Sequence, residues 1–218
     1  MYKAGAVEGQ LKPNEELASI FGKKGVSNTS RIVVYDDGSN KHNSRVWWIL
    51  KSIGATDASI LHFNTDQLAA AQVPLTANPS IGKAVNFVLT ESSYKACSMA
   101  DVQKLDKGTL LLDGREKDEF EGTDAAKKSK GHIPGAVWMN FKEVLTATGA
   151  YKSKDEIIAA AAKFGATPEK PIVVYCNSGV KASVLYIAFK EIAGFQNLRY
   201  YAGSYAEWSS IPENPIVK

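Results

Sequence analysis

A cysteine stands at the end of a short β-branched run. Ile172-Val173-Val174-Tyr175 leads into Cys176-Asn177-Ser178-Gly179-Val180-Lys181-Ala182-Ser183, and a helical pattern follows at once. Open α/β sheets bind ligands at the carboxyl ends of their strands. Successive backbone N–H groups at a helix start form a cradle for anions. A thiolate in such a cradle is expected to have a lowered pKa and to act as a nucleophile, and Gly179 lets the loop curve tightly. A buried structural cysteine fits the position alone equally well. A second segment, Asp113-Gly114-Arg115-Glu116-Lys117-Asp118-Glu119-Phe120, follows the apolar run Leu110-Leu111-Leu112. The guanidinium fork of Arg115 suits a two-oxygen anion such as a sulfonate or carboxylate. Taken by itself, this segment reads better as an arginine paired with Glu119 or Asp118 on a surface turn. His132, in Gly131-His132-Ile133-Pro134-Gly135-Ala136, has the chemistry of a base. No cysteine or carboxylate partner follows from its spacing, so a histidine pinning a turn is the better reading. Cys97 stands in no motif and reads as a small buried hydrophobe.

These residues need elements to position them. Ile32–Tyr35 and Ile172–Tyr175 read as buried parallel strands, each followed by a turn and a helix, near Asn43–Ile53 and Val180–Ala193. Leu110–Asp113 reads as a further buried strand. Helices are predicted at Asn14–Lys23, Met99–Leu105 and Lys154–Lys163, with Asn14 and Ser153 as N-caps. The two strand–turn–helix segments align without a gap at an offset of 140 positions, Ile32 falling on Ile172, Tyr35 on Tyr175, Lys41 on Lys181 and Gly54 on Gly194. That register predicts an internal duplication. Nothing in the first copy corresponds to Leu110–Asn140: either the chain is a fragment or an alternative start, or the first copy is reduced. Pro74-Leu75-Thr76-Ala77-Asn78-Pro79-Ser80-Ile81-Gly82 reads as the linker between copies.

Composition excludes several classes. The 218 residues suffice for one large or two small domains, and 44% hydrophobic with 22% charged residues is ordinary for a globular protein. A net charge of +3 is too small to argue for nucleic acid and does not repel a small anion. No run of apolar residues is long enough for a membrane span. Met1-Tyr2-Lys3-Ala4-Gly5-Ala6 carries no apolar signal segment. Two cysteines make no disulfide framework, and free thiols fit a reducing compartment, so a cytoplasmic location is expected.

Taken in order, the motifs resemble the rhodanese family. The resemblance rests on Asp113-Gly114-Arg115 with Glu119 and Phe120 following, Gly131-His132-Ile133-Pro134-Gly135-Ala136, and Val173-Val174-Tyr175-Cys176 with its six-residue loop. The closing segment Gly203-Ser204-Tyr205-Ala206-Glu207-Trp208 belongs to the same pattern, and Arg45-Val46-Trp47-Trp48 resembles the family's non-catalytic N-terminal domain. The resemblance implies an α/β fold of two tandem rhodanese-like domains, each a parallel sheet flanked by helices, the N-terminal one incomplete. Residues 1–73 would form the truncated non-catalytic domain, 74–83 the linker and 84–218 the catalytic domain. It implies a sulfurtransferase that works by ping-pong through a persulfide on Cys176. Loop residues Asn177, Ser178, Gly179, Val180 and Lys181 would hold the sulfur, and Arg115 would orient the departing oxyanion. The implied partners are a small anionic sulfur donor and a thiol or cyanide acceptor, with no metal or organic cofactor.

The departures from the family pattern are specific. Asp36 stands where the second copy has Cys176, so one catalytic centre is expected. Leu61-His62-Phe63-Asn64 lacks the paired glycines usual in the closing region, and Ala202 replaces a usual aspartate. The loop charge of Lys181 favours doubly charged thiosulfate as donor, while Ser178 is shared with 3-mercaptopyruvate-type members. Phosphate-ester hydrolysis is the rival chemistry on a related fold, but Ala182 stands where that loop needs an arginine. A catalytically weak binding module is the rival outside enzymology.

Overall fold

The computed structural model describes every residue except Ala6, Pro79, Ile81 and 126–128. The chain forms two compact units. One comprises Met1, Leu11–Lys95 and Thr148–Ala150; the other comprises Tyr2–Gln10, Ala96–Ala147 and Tyr151–Lys218.

In the first unit, α1 (Asn14–Lys23) precedes β1 (Arg31–Val34), α2 (Lys41–Ser52), β2 (Asp57–Ile60) and α3 (Thr65–Ala70). The strands β1 and β2 pair in parallel, Arg31 opposite Asp57 and Val34 opposite Ile60. The helix α2 buries Trp47, Trp48, Ile49 and Leu50. Helix α1 begins at Asn14, but Pro13 is its N-cap and no side chain caps it. The expected cap at Asn14 is therefore corrected: the preceding proline already fixes an extended φ and enters the helix without one. The domain boundary expected at residue 84 is also corrected. Val85 N–H donates to Gly22 O at 2.9 Å, the Phe87 ring lies 6.3 Å from that of Phe21, and Ser92 Oγ donates to Lys51 O at 2.7 Å. These contacts keep residues 84–95 with the first unit. Of the expected linker, Pro79 and Ile81 lie outside the described residues.

The second unit contains β3 (Ala96–Cys97), α4 (Met99–Gln103), β4 (Leu110–Asp113), α5 (Lys117–Glu121), β5 (Ala136–Trp138), a 3₁₀ turn (Phe141–Val144), α6 (Lys154–Ala162), β6 (Ile172–Tyr175), α7 (Val180–Ile187), a π-turn (Ala188–Ile192), β7 (Leu198–Tyr201) and α8 (Ser204–Ser209). Its sheet is wholly parallel, in the order β3-β7-β6-β4-β5. All four residues of β4 and of β6 are buried, which is why Leu110–Leu112 and Ile172–Tyr175 are unbroken apolar runs rather than alternating ones. Ser153 caps α6 reciprocally with Glu156, as expected. Asp113 lies opposite Tyr175 across the β4–β6 pair. The chain therefore leaves both strands side by side, bringing Arg115 and Cys176 to one end of the sheet.

Among the described residues no helix is long and apolar enough to cross a membrane. The architecture is the α/β arrangement expected, with parallel sheets flanked by helices.

Candidate active site

Cys176 sits at the carboxyl end of β6, 1% exposed. Its loop is tied from outside. Cys176 N–H donates to Ser204 Oγ at 3.1 Å, and Tyr205 N–H donates to Cys176 O at 2.9 Å. Ala206 N–H donates to Asn177 O at 2.8 Å. Tyr200 Oη donates to Gly179 O at 2.6 Å. Gly179 takes φ +83°, a left-handed conformation that a side chain would strain. The loop runs directly into α7 at Val180, and the backbone N–H groups of Ala182, Ser178 and Lys181 pull the thiol toward its ionised form. The net effect on the thiol is not the anticipated one. Burial raises the Cys176 pKa, and the three N–H groups offset this only in part. The expectation of a lowered pKa is corrected: desolvation outweighs these N–H groups. Sequence reasoning missed Ser204 and Tyr200 as loop supports. The segment Gly203–Trp208 was recognisable as a motif, but its bond to the cysteine amide spans 28 residues and is a tertiary fact.

Arg115 does not open onto this loop. Its side chain is fully buried and each of its three nitrogens has a partner. Arg115 Nε reaches Asp113 Oδ1 and Oδ2 at 3.0 Å each, Nη2 reaches Asp113 Oδ2 at 2.7 Å and Gly131 O at 2.8 Å, and Nη1 reaches Ser129 Oγ at 2.8 Å. The Tyr205 ring covers its guanidinium at 4.1 Å. Burial works against the charge, and Asp113 more than offsets it, so Arg115 is held firmly protonated. The expectation that Arg115 binds the donor is corrected, and so is its pairing with Glu119 or Asp118: the buried Asp113 two residues back captures it. Arg115 ties the end of β4 to the Ser129–Gly131 turn and to α8. His132 is structural, as its segment suggested. Its ring stacks on Phe120 at 3.6 Å, and Nδ1 lies 2.9 Å from Phe120 O.

A family model for the rhodanese-like domain matches residues 98–211, more than half of the chain. The chain belongs to the rhodanese family. It is 29% identical to the thiosulfate sulfurtransferase of Gallus gallus, over 94% of this chain and 73% of that protein. Among solved structures it superposes on the Tum1 protein from Saccharomyces cerevisiae with TM-score 0.81 at 25% identity, covering 97% of this chain and 77% of that one. It also superposes on the anaerobic ergothioneine biosynthesis enzyme from Chlorobium limicola, TM-score 0.85 at 20% identity, covering 97% of this chain and 57% of that one. This last likeness is one of fold.

The rim of this rhodanese loop carries its own charges. Lys181 Nζ lies 2.6 Å from Glu119 Oε2 and 3.9 Å from Glu116 Oε1. Lys181 was expected to offer a free positive charge to the donor; it is instead held in an ion pair, because α5 places two carboxylates against the start of α7. Asn177 Nδ2 donates to Glu8 Oε2 at 3.0 Å. Gly9, at φ +75°, lies so close that an added Cβ would stand 2.4 Å from Ser178 Cβ. Nothing in the sequence marked Glu8 or Gly9, since 169 positions separate Glu8 from Asn177. Val180 opens α7. Among the described residues, no cluster of three or more His, Cys, Asp or Glu side chains is arranged to hold a metal ion.

Proposed function

We propose that this rhodanese is a sulfurtransferase whose Cys176 carries sulfane sulfur as a persulfide. The observation that carries the reading is Cys176 at the carboxyl end of β6, in a tight loop pinned by Ser204, Tyr205 and Tyr200 that runs directly into α7. In the first half-reaction the thiolate attacks the outer sulfur of the donor. A new S–S bond forms, the donor's own bond to that sulfur breaks, and its electron pair leaves with the departing group, sulfite in the case of thiosulfate. The terminal sulfur of the persulfide takes the negative charge, which the N–H cradle and the start of α7 stabilise. In the second half-reaction a thiol or cyanide takes the outer sulfur and the Cys176 thiolate is restored. Asn177, Ser178, Gly179 and Val180 line the loop that holds the sulfur. Arg115 is a positioning residue, acting through β4 and α8.

Thiosulfate is the proposed donor, supported by the name of the Gallus gallus relative. A second reading, 3-mercaptopyruvate, is favoured by one observation: Glu119 neutralises Lys181, and so weakens the electrostatic advantage of a dianion. The first unit we read as a tandem copy without catalysis. Its β1-α2-β2 order repeats β6-α7-β7, and Asp36 occupies the position of Cys176. The Asp36 carboxylate accepts from the backbone N–H groups of Gly38, Asn40, His42 and Asn43 at 2.9 to 3.3 Å. An anion cradle thus persists there, filled by a side chain that cannot carry sulfur.

The test is a pair of substitutions. Cys176→Ser should abolish sulfur transfer with the fold intact, and Cys97→Ser should leave most of the activity. An active Cys176→Ser protein beside an inactive Cys97→Ser protein overturns the assignment.

A further inference from the structure

Lys181 is the one basic residue in the loop from Cys176 to Ser183. Its backbone N–H favours the Cys176 thiolate, while its ammonium is drawn to α5. The partner there is no loose surface carboxylate. Glu119 Oε2 also accepts from Glu116 N–H at 3.1 Å, closing the reciprocal cap of α5, so the helix itself fixes the carboxylate's position. The Lys181 and Glu119 side chains are only 22% and 23% exposed. Glu116, whose Oε1 lies 3.9 Å from Lys181 Nζ, is the weaker partner, since Asn140 Nδ2 at 2.8 Å and Lys142 Nζ at 3.2 Å already engage it.

We propose that Glu119 is a specificity-determining residue: it captures Lys181 and so lowers the preference of the Cys176 site for anionic over uncharged reactants, and for doubly over singly charged sulfur donors. An ammonium paired at 2.6 Å presents a dipole to the loop, whereas an unpaired one presents a full charge. The difference acts on the encounter of the thiolate with an anion, and it grows with the anion's charge. For sulfur donors the inference rests on Cys176 being the sulfur carrier. The electrostatic part concerns the thiol alone.

The experiment therefore reads both. In a Cys97→Ser background, the rates at which iodoacetate (anionic) and iodoacetamide (neutral) alkylate Cys176 are measured by peptide mass. Both reagents attack the same thiolate, so its fraction cancels in the ratio. Glu119→Gln keeps an oxygen for the Glu116 cap and removes the charge. It should raise the iodoacetate-to-iodoacetamide ratio roughly three- to tenfold at low salt, shrinking at high salt. The rise should vanish in Glu119→Gln/Lys181→Met. In parallel, kcat/KM for thiosulfate should rise more than that for 3-mercaptopyruvate. An unchanged or lowered alkylation ratio in Glu119→Gln overturns the proposal, as does an equal rise when Lys181 is absent. If the wild-type protein transfers no sulfur, the sulfur-carrier reading fails, and the alkylation ratio still decides the role of Glu119.

Discussion

Opposed influences act on the proton of Cys176. Burial, and more weakly the charge of Asp113, favour the neutral thiol; three backbone N–H groups favour the thiolate, and burial wins. The acid form is the neutral one, so a raised pKa means less nucleophile at neutral pH. The rate of sulfur loading should then keep rising with pH through the ordinary cysteine range, about 8.5. A single-turnover profile that reaches its plateau below neutral pH would contradict this. Arg115 and Asp113 form a fully buried pair. Removing the arginine leaves Asp113 charged, buried and unpaired, so Arg115→Met should cost about 3–5 kcal/mol of stability, read by denaturant unfolding. A protein of unchanged stability with only a raised KM would restore Arg115 to the donor site. Cys176 and its loop were legible because a strand end, a glycine and a helix start are local features. The direction of Arg115 was not, because its choice between Asp113, Asp118 and Glu119 depends on which of them is buried. The capture of Lys181 by Glu119 joins positions 62 apart and left no trace in spacing.

Among the elements, the turn after β1 is organised by Asp36, where the turn after β6 carries Cys176. Asp36 takes four backbone N–H bonds before and within the first turn of α2, and Ser39 Oγ donates a further one at 3.3 Å. Asn40 takes φ +55° to make this possible. The carboxylate acts as an extended helix cap, so Asp36→Ala should destabilise the first unit by about 1–2 kcal/mol, with Asp36→Asn milder. A melting temperature unchanged by Asp36→Ala would refute the capping role. The strand–turn–helix order of both segments was visible in sequence because β-branched runs and their turns stand in register. The extent of the first unit was not, because residues 84–95 form no helix or strand and have no pattern of their own. Its place is set by α1 and α2, through Gly22 and Lys51.

For the whole molecule, the two sheets differ in how well they are covered. In β6 every residue is buried; in β1 exposed and half-buried residues alternate, leaving Val33 56% exposed, and Tyr35 just beyond the strand is 55% exposed. Among the described residues β1 has β2 as its one strand neighbour, whereas β6 lies between β4 and β7. An open strand edge beside exposed apolar side chains invites pairing with another chain. The protein should therefore associate with increasing concentration, and Val33→Lys should reduce the association, as followed by sedimentation velocity. A monomer at every concentration, identical for both proteins, would contradict the reading. The central claim, that Cys176 accepts and gives up one sulfur atom, is tested most directly by intact mass. After treatment with thiosulfate the protein should gain the mass of one sulfur atom, lose it on adding cyanide, and show no gain as Cys176→Ser. An unchanged mass with both thiosulfate and 3-mercaptopyruvate, or a gain that survives Cys176→Ser, would contradict the account.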